Sequence, residues 1–275
     1  MSQSKILNIN NISITFNPDT LNEVKALWGV DLSIEQGSWV VVIGTNGSGK
    51  STLLNAVAGN VMTDSGSIEL SGNDITRWPE HKRANLIGRV FQNPFSGTAP
   101  NMTIAENLAL ASKRGQSRGL DMALKSEVFE SFRQRVSTLN MGLEGRLDNI
   151  IGRLSGGQRQ ALTLLMATWQ RPELLLLDEH TAALDPKTAN QVIKLTEELV
   201  SKENLTTLMV THSMQQAVAL GDRLIMMHGG RVIHDFRGAE KKRLRPKELY
   251  ERFEDVRRRE QLDETAAEML KRLYI

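Results

Sequence analysis

The chain has 275 residues, 40% hydrophobic and 24% charged, an ordinary globular balance with enough apolar residues for a substantial core. Its 34 Lys and Arg against 32 Asp and Glu leave a formal charge of +2, too slight to argue for a nucleic-acid partner. The absence of cysteine excludes disulfides, thiolate metal sites and iron–sulfur ligation by this chain, and no stretch approaches the ~20 apolar residues that span a bilayer.

In chain order, the amino terminus MSQSKILNINN lacks a basic segment followed by an apolar run, so no signal peptide is expected. Residues 6–16 alternate as a strand, with Ile12, Ile14 and Phe16 on one face, and Asn, Pro and Asp at 17–23 make a loop. Residues 39–43 (WVVVI) form a continuous apolar run that suits a strand buried on both faces. A glycine-rich segment, GTNGSGKST at 44–52, leads into a helix over 51–58 that ends at Gly59. A short strand over 65–70 ends in a turn at 71–74. Between Pro94 and Gly152 strand signals nearly vanish, and 103–111 and 122–139 have helical spacing, with Leu124, Val128, Phe132 and Val136 four residues apart. The segment LSGGQRQ at 154–160 opens a helix over 157–168. Four leucines at 174–177 read as another buried strand, followed by Asp178 and Glu179. A helix over 186–199 begins at Pro186, and a strand over 206–211 precedes His212. Residues 222–227 and 231–236 flank Gly229-Gly230 and suggest a closing hairpin.

The first glycine-rich segment fits G-x-x-x-x-G-K-[ST] at Gly44, Gly49, Lys50 and Ser51, in the strand–loop–helix context that this pattern needs. Gly44, Gly47 and Gly49, with Thr45, Asn46 and Ser48 between them, let successive N–H groups turn toward one anion, and the helix that starts with Ser51 and Thr52 adds partial positive charge. Lys50 reaches β- and γ-phosphates, and the Ser51 hydroxyl is suited to Mg²⁺. Asp178 is suited to hold Mg²⁺ through water, and Glu179 to polarise an attacking water as general base. Taken singly, these are also readable as a glycine-rich turn with a surface lysine and as two exposed acids opening a loop. The helix after Ser155-Gly156-Gly157-Gln158 again presents its amino end to an anion.

The two glycine-rich segments together resemble those of ATP-binding-cassette (ABC) ATPases, a resemblance that covers residues 5–236. It implies an α/β fold: a P-loop NTPase core with a mainly parallel sheet, an antiparallel β subdomain and an inserted helical subdomain at about 94–168. A nucleotide-binding domain would then occupy 1–236, with a basic helical tail at 237–275. The resemblance implies ATP and Mg²⁺ as cofactors. Phe16 stands where the family stacks an aromatic, more often Tyr, on adenine. Gln92 matches the glutamine that touches Mg²⁺ and reports on the γ-phosphate. Ser155, Gly156, Gly157 and Gln158 match the signature that closes on a partner's ATP, Ala183-Leu184-Asp185 the loop that crosses the dimer seam, and His212 the switch histidine. His180 and Ala182 depart from the family's common Pro and Ser.

The implied function is the ATPase subunit of a membrane transporter, similar to single-cassette bacterial importers and, over 88–111 and the later motifs, to a subfamily for amino-acid-like solutes. Its implied partners are a second ATPase subunit in a head-to-tail homodimer, polytopic permease subunits and, indirectly, a solute-binding protein, all at the cytoplasmic face of the membrane. The alternative is a soluble single-cassette ATPase in an assembly or repair complex. Residues 95–102, with Phe95, Pro100 and Met102, read either as a surface loop or as a groove for a permease helix. In the tail, residues 237–259 carry ten Lys and Arg against five acids. Leu249, Phe253 and Val256 form one helical stripe, and Ala266, Met269, Leu270 and Leu273 a second. Both stripes are expected to dock on the chain's own domain, away from the active site, with a dimer contact or anionic lipid as alternatives.

Overall fold

The computed structural model describes residues 4–115, 126–256 and 258. Two sheets share the core. The smaller is antiparallel, in the order β2-β1-β4-β5, built from β1 (Lys5–Phe16), β2 (Val24–Glu35), β4 (Ser65–Leu70) and β5 (Asn73–Asp74). β3 (Trp39–Gly44) leaves this subdomain and enters the larger sheet, and α1 (Lys50–Ala58) follows it. After α2 (Glu80–Arg83) comes β6 (Ile87–Val90), then the helices α3 (Ile104–Ser112) and α4 (Ser126–Ser137), a 3-10 turn (Ile151–Arg153) and α5 (Gly156–Thr168). β7 (Leu174–Asp178), α6 (Pro186–Glu203), β8 (Thr207–Val210), α7 (Met214–Ala219), β9 (Arg223–His228), β10 (Arg231–Arg237) and α8 (Gly238–Arg243) follow, and residues 246–256 form a last helix, α9.

The larger sheet runs β10-β9-β3-β8-β7-β6, parallel throughout except for the antiparallel edge strand β10. Its central strands are apolar at nearly every position, Thr207 and Asp178 at strand ends excepted, because both faces are covered. Alternation along each strand separates two cores: Val41, Ile43, Leu175, Leu177 and Met209 pack with α3–α6, whereas Val40, Val42, Leu174, Leu176, Leu208 and Val210 pack with α1 and the antiparallel sheet. This order sets the carboxyl ends of β3, β8, β7 and β6 side by side, the edge at which open α/β sheets carry ligands.

Most elements lie where the residue pattern predicts them, within one to four residues. The hairpin β9–β10 is antiparallel across Gly229 and Gly230. Gly59 ends α1 in the left-handed region, φ 86°. Phe132 and Val136 of α4 are buried, and Phe132 meets Trp169 edge-on at 5.4 Å between ring centroids. The helical expectation at 122–125, Leu124 included, and the second tail stripe at 266–273 lie outside the described residues. Ile12 and Ile14 are buried, but Phe16 at the same strand's end is 40% exposed, and β2 has no counterpart in the sequence pattern. Leu244, Leu249 and Phe253 of the tail are buried in the core shared with α3–α6, and Lys241 donates to the carbonyls of Val218 (2.6 Å) and Leu220 (2.7 Å) at the end of α7.

Candidate functional site

The loop between β3 and α1 is shaped by two glycines in the left-handed region, Gly47 at φ 77° and Gly49 at φ 95°. A Cβ on Gly49 would lie 2.4 Å from the Ala26 carbonyl oxygen, so β2 backs the loop at a distance that only glycine permits. Helices α3, α5, α6 and α7 each receive a side-chain oxygen at their first turn, from Thr103, Ser155, Asp185 and Ser213. α1 begins at Gly49 and has no such cap, which leaves its first amides to an outside acceptor. Lys50 is buried and donates to the carbonyls of Gly44 (3.0 Å) and Thr45 (2.9 Å). Burial lowers the pKa of its ammonium, and the nearby charges of Glu179 and Asp178 oppose that shift. Ser51, Asn46 and Gly47 are exposed, Thr45 and Thr52 are half-buried, and Ser48 is buried.

Opposite this loop, Asp178 ends β7 and pairs with Arg89 at 3.2 Å. Glu179 takes a left-handed backbone, φ 44°, while its N–H donates to Val210 O at 3.0 Å. Its Oε1 lies 2.6 Å from His212 Nε2, just past the neighbouring strand β8. The segment carrying His212 is tied to the one following Glu179: Gln216 receives a bond from Thr211 Oγ1 (2.8 Å) and donates to Thr181 Oγ1 (3.2 Å). Gln92 is exposed, next to the end of β6, and the carbonyl of its neighbour Phe91 accepts from Gln160 Nε2 of α5 at 3.2 Å.

Lys50, Asp178, Glu179, His212 and Gln92 thus come to one edge of the sheet, with the uncapped start of α1 among them. The set fits a triphosphate with a hard divalent cation: a buried ammonium, free helix-end amides, the Ser51 hydroxyl, and the Asp178 and Glu179 carboxylates near Lys50. Ser155, Gly156, Gly157 and Gln158 stand apart at the start of α5. No hydrogen bond or ion pair joins them to residues 44–52 among the described residues. Ser155 Oγ accepts from Gln158 N at 3.3 Å, while the Gln158 side chain reaches back to Ser155 N at 3.4 Å. Phe16 is on the outer end of β1, opposite exposed Val24 in the strand pair that backs Gly49.

Several features escape the sequence motifs. Trp28, 52% exposed on β2, is covered by the Arg231 guanidinium at 3.7 Å from its ring centroid. Phe95 is exposed and the guanidinium of buried Arg159 lies 3.6 Å from its ring centroid; Arg159 also holds the carbonyls of Ile151, Gly152 and Leu154. Met102 is half-buried. His180 is fully buried, and burial pushes its pKa down to about 4. Thr196 Oγ1 donates to Val192 O, so it accepts from the Nε2–H of a neutral His180 at 3.1 Å. The tail also comes closer than the sequence implies. Tyr250, Phe253 and Glu254 wall a cavity of about 220 Å³ whose other side is Gly44, Thr45, Asn46 and His212. Only the fold could show that Tyr250 lies beside the phosphate loop, because more than 200 residues separate it from Gly44, Thr45 and Asn46.

Residues 27–182 match the family model described as ABC transporter. A tyrosine transport ATP-binding protein of Clostridioides difficile (strain R20291) is 44% identical over 250 residues, 90% of this chain and 99% of that protein. The dimeric post-hydrolysis state of the ATP-binding cassette MJ0796 bound to ADP and Pi superposes with a TM-score of 0.72 at 26% identity, over 84% of this chain and 98% of that one. CbiO1 of Clostridium perfringens, described as part of the ABC transporter complex cbiONQ, does so with a TM-score of 0.70 at 25% identity, over 93% and 94%. No helix among the described residues is long and apolar enough to cross a membrane. By the family match, the close relative and the edge of the sheet that gathers the phosphate loop and the acids, the chain belongs to the ABC transporter family, as an ATP-binding, ATP-hydrolysing subunit.

Proposed function

We propose that this subunit powers an importer of amino-acid-like solutes, as a head-to-tail homodimer beneath polytopic permease subunits at the cytoplasmic face of the membrane. The observation that carries its chemistry is the 2.6 Å contact between Glu179 Oε1 and His212 Nε2, on the edge that also holds Lys50 and Asp178. A proton on His212 Nε2 donates to Oε1, which leaves the second oxygen of Glu179 to take a proton from the attacking water. Lys50 and the amides opening α1 hold phosphate oxygens, because phosphoryl transfer needs positioning and electrostatics rather than a nucleophilic side chain. Ser51, Gln92 and Asp178 would hold Mg²⁺, which would offset the charge of those oxygens. Phe16 stacks on adenine. Thr45, Asn46, Ser48 and Thr52 complete the loop.

Ser155 to Gln158 of one subunit close on the ATP held by the other, and 183–185 cross the seam between them. The nucleotide-binding domain is residues 1–236, with a helical insertion at about 94–168 and a tail at 237–275. Nucleotide state passes from Gln92 through the bond between Phe91 O and Gln160 to the insertion. There Phe95 and Met102 meet a permease helix, and a solute-binding protein engages the permease from the other side. The relative named for tyrosine transport, at 44% identity, supports an amino-acid-like solute.

Glu179→Gln is expected to keep ATP binding while turnover falls by two orders of magnitude or more, and to elute as an ATP-dependent dimer on a sizing column. Lys50→Ala loses both binding and dimer. Wild-type turnover by Glu179→Gln would remove that residue as the base. Uptake of labelled tyrosine into vesicles containing the co-purified permease tests the transport reading, which fails if ATP drives no amino-acid uptake.

A further inference from the structure

Arg89 belongs to none of the motifs that define the site, yet it touches three of the segments that build it. It comes from β6, and its side chain is 11% exposed. One terminal nitrogen, Nη2, donates to Asp178 Oδ2 (3.2 Å) and to Asn55 Oδ1 (2.8 Å); the other, Nη1, donates to Asn60 Oδ1 (2.7 Å). The guanidinium also sits 4.6 Å from the centroid of the Phe91 ring. Asn55 lies on α1, one turn beyond Ser51; Asp178 ends β7; Phe91 immediately precedes Gln92. The three segments are those that carry Ser51, Asp178 and Gln92, the residues assigned above to Mg²⁺.

We infer that Arg89 is a positioning residue for the divalent-cation site: it fixes one oxygen of Asp178 and locks α1 to β7 and β6. This rests on the assignment of Asp178 to Mg²⁺. A buried ion pair could equally serve stability alone, since the attraction between such partners is largely offset by their desolvation. The two roles differ in what they do to metal. An arginine retains its charge at any ordinary pH and repels an incoming cation while sharing the carboxylate's negative charge. Its removal leaves Asp178 with an unshared charge in a poorly solvated place, which favours a divalent cation. At the same time the carboxylate loses the hydrogen bond that orients one of its oxygens, which slows turnover. The expected pattern is therefore tighter metal binding with poorer catalysis, which a purely stabilising bridge would not produce.

The test uses the full chain and a fluorescent, non-hydrolysable ATP analogue, whose binding is titrated with MgCl2, alongside ATP turnover at saturating Mg²⁺. Arg89→Gln is expected to lower the half-saturating Mg²⁺ concentration at least threefold and to cut turnover about tenfold. Arg89→Lys keeps the charge but cannot bridge three partners, so its Mg²⁺ midpoint stays within twofold of the parent while turnover still falls. In an Asp178→Asn background, Arg89→Gln shifts the midpoint by less than half as much, because the residue acts through that carboxylate. A folded Arg89→Gln protein with an unchanged or raised midpoint overturns the inference. So does parental turnover by Arg89→Lys, which decides the matter if Arg89→Gln fails to fold. Asp178→Asn alone separates the two levels of the argument: a midpoint raised at least tenfold upholds the metal assignment, and an unchanged one removes that assignment and the role of Arg89 with it.

Discussion

Residues 44–52 and 154–160 are both glycine-rich, both precede a helix, and invite the same explanation: glycines that let amides approach a phosphate. Their surroundings give the glycines different work. At the first, Gly49 is fixed by its own backbone angle and by the Ala26 carbonyl behind it, and α1 starts without a side-chain cap. At the second, α5 closes its own amino end through Ser155 and Gln158, and a Cβ on Gly157 would lie 2.0 Å from the Thr188 methyl of α6. The first loop is ready for an anion as it stands. The second is held by its own chain: Ser155 Oγ accepts from Gln158 N, and its O–H stays available to donate to a phosphate. Similar composition therefore hides two different demands: the glycines of the first loop leave α1 open to an anion, whereas Gly157 also has to pack against α6.

The contrast can be broken from either side. Gly49→Ala carries the largest expected effect, since it meets a backbone oxygen at 2.4 Å in a left-handed conformation, and should lose ATP binding and lower the melting temperature. Gly47→Ala, with nothing within 4 Å of its Cβ, should cost only about 1–2 kcal/mol of backbone strain, read by thermal denaturation. Gly157→Ala should destabilise by about 1–3 kcal/mol through overpacking, while the isolated subunit still binds ATP. Thr188→Ser removes the opposing methyl and should restore most of that loss. Failure of the rescue would mean that Gly157 is required for a reason other than its contact with α6.

A smaller effect concerns what holds α6 in place. His180 is neutral when folded, with its pKa pushed down to about 4, so the unfolded chain binds a proton first as pH falls. Its contribution is complete above the unfolded pKa, near 6.5, and is lost as pH drops from there toward 4. By pH 6 this amounts to about 1 kcal/mol, and the melting temperature of His180→Gln should depend less on pH between 7 and 5 than that of the parent.

The apolar runs of β3, β7 and β8, and the glycines that follow β3, are local signals, so the parallel sheet and the loop after β3 are legible in the sequence. β2 is not. Its buried residues Ala26, Leu27, Val30, Leu32 and Ile34 lose their alternation at Gly29, where φ is 61° and the pairing with β1 shifts register. Neither Arg89 on Asp178, Thr188 against Gly157, nor Tyr250 and Phe253 beside the phosphate loop could be read in advance. Each joins residues 30 to more than 200 positions apart, and neither periodicity nor a short motif carries such distances. His180 and Ala182 illustrate the remaining limit: as letters they are departures from a pattern, and only burial and the bond to Thr196 give His180 a physical task.

The division of β3 between two cores has a consequence for how this chain can vary in length. Val40 and Val42 face one interior while Val41 and Ile43 face the other. Losing or gaining one residue within Trp39–Gly44 would exchange the occupants of both interiors at once and turn the start of the phosphate loop to the opposite side. A central strand in this position tolerates substitution by similar volumes but has no tolerance for a change of length. Length variation must therefore be absorbed in connections away from it, such as the turn at 71–72 between β4 and β5.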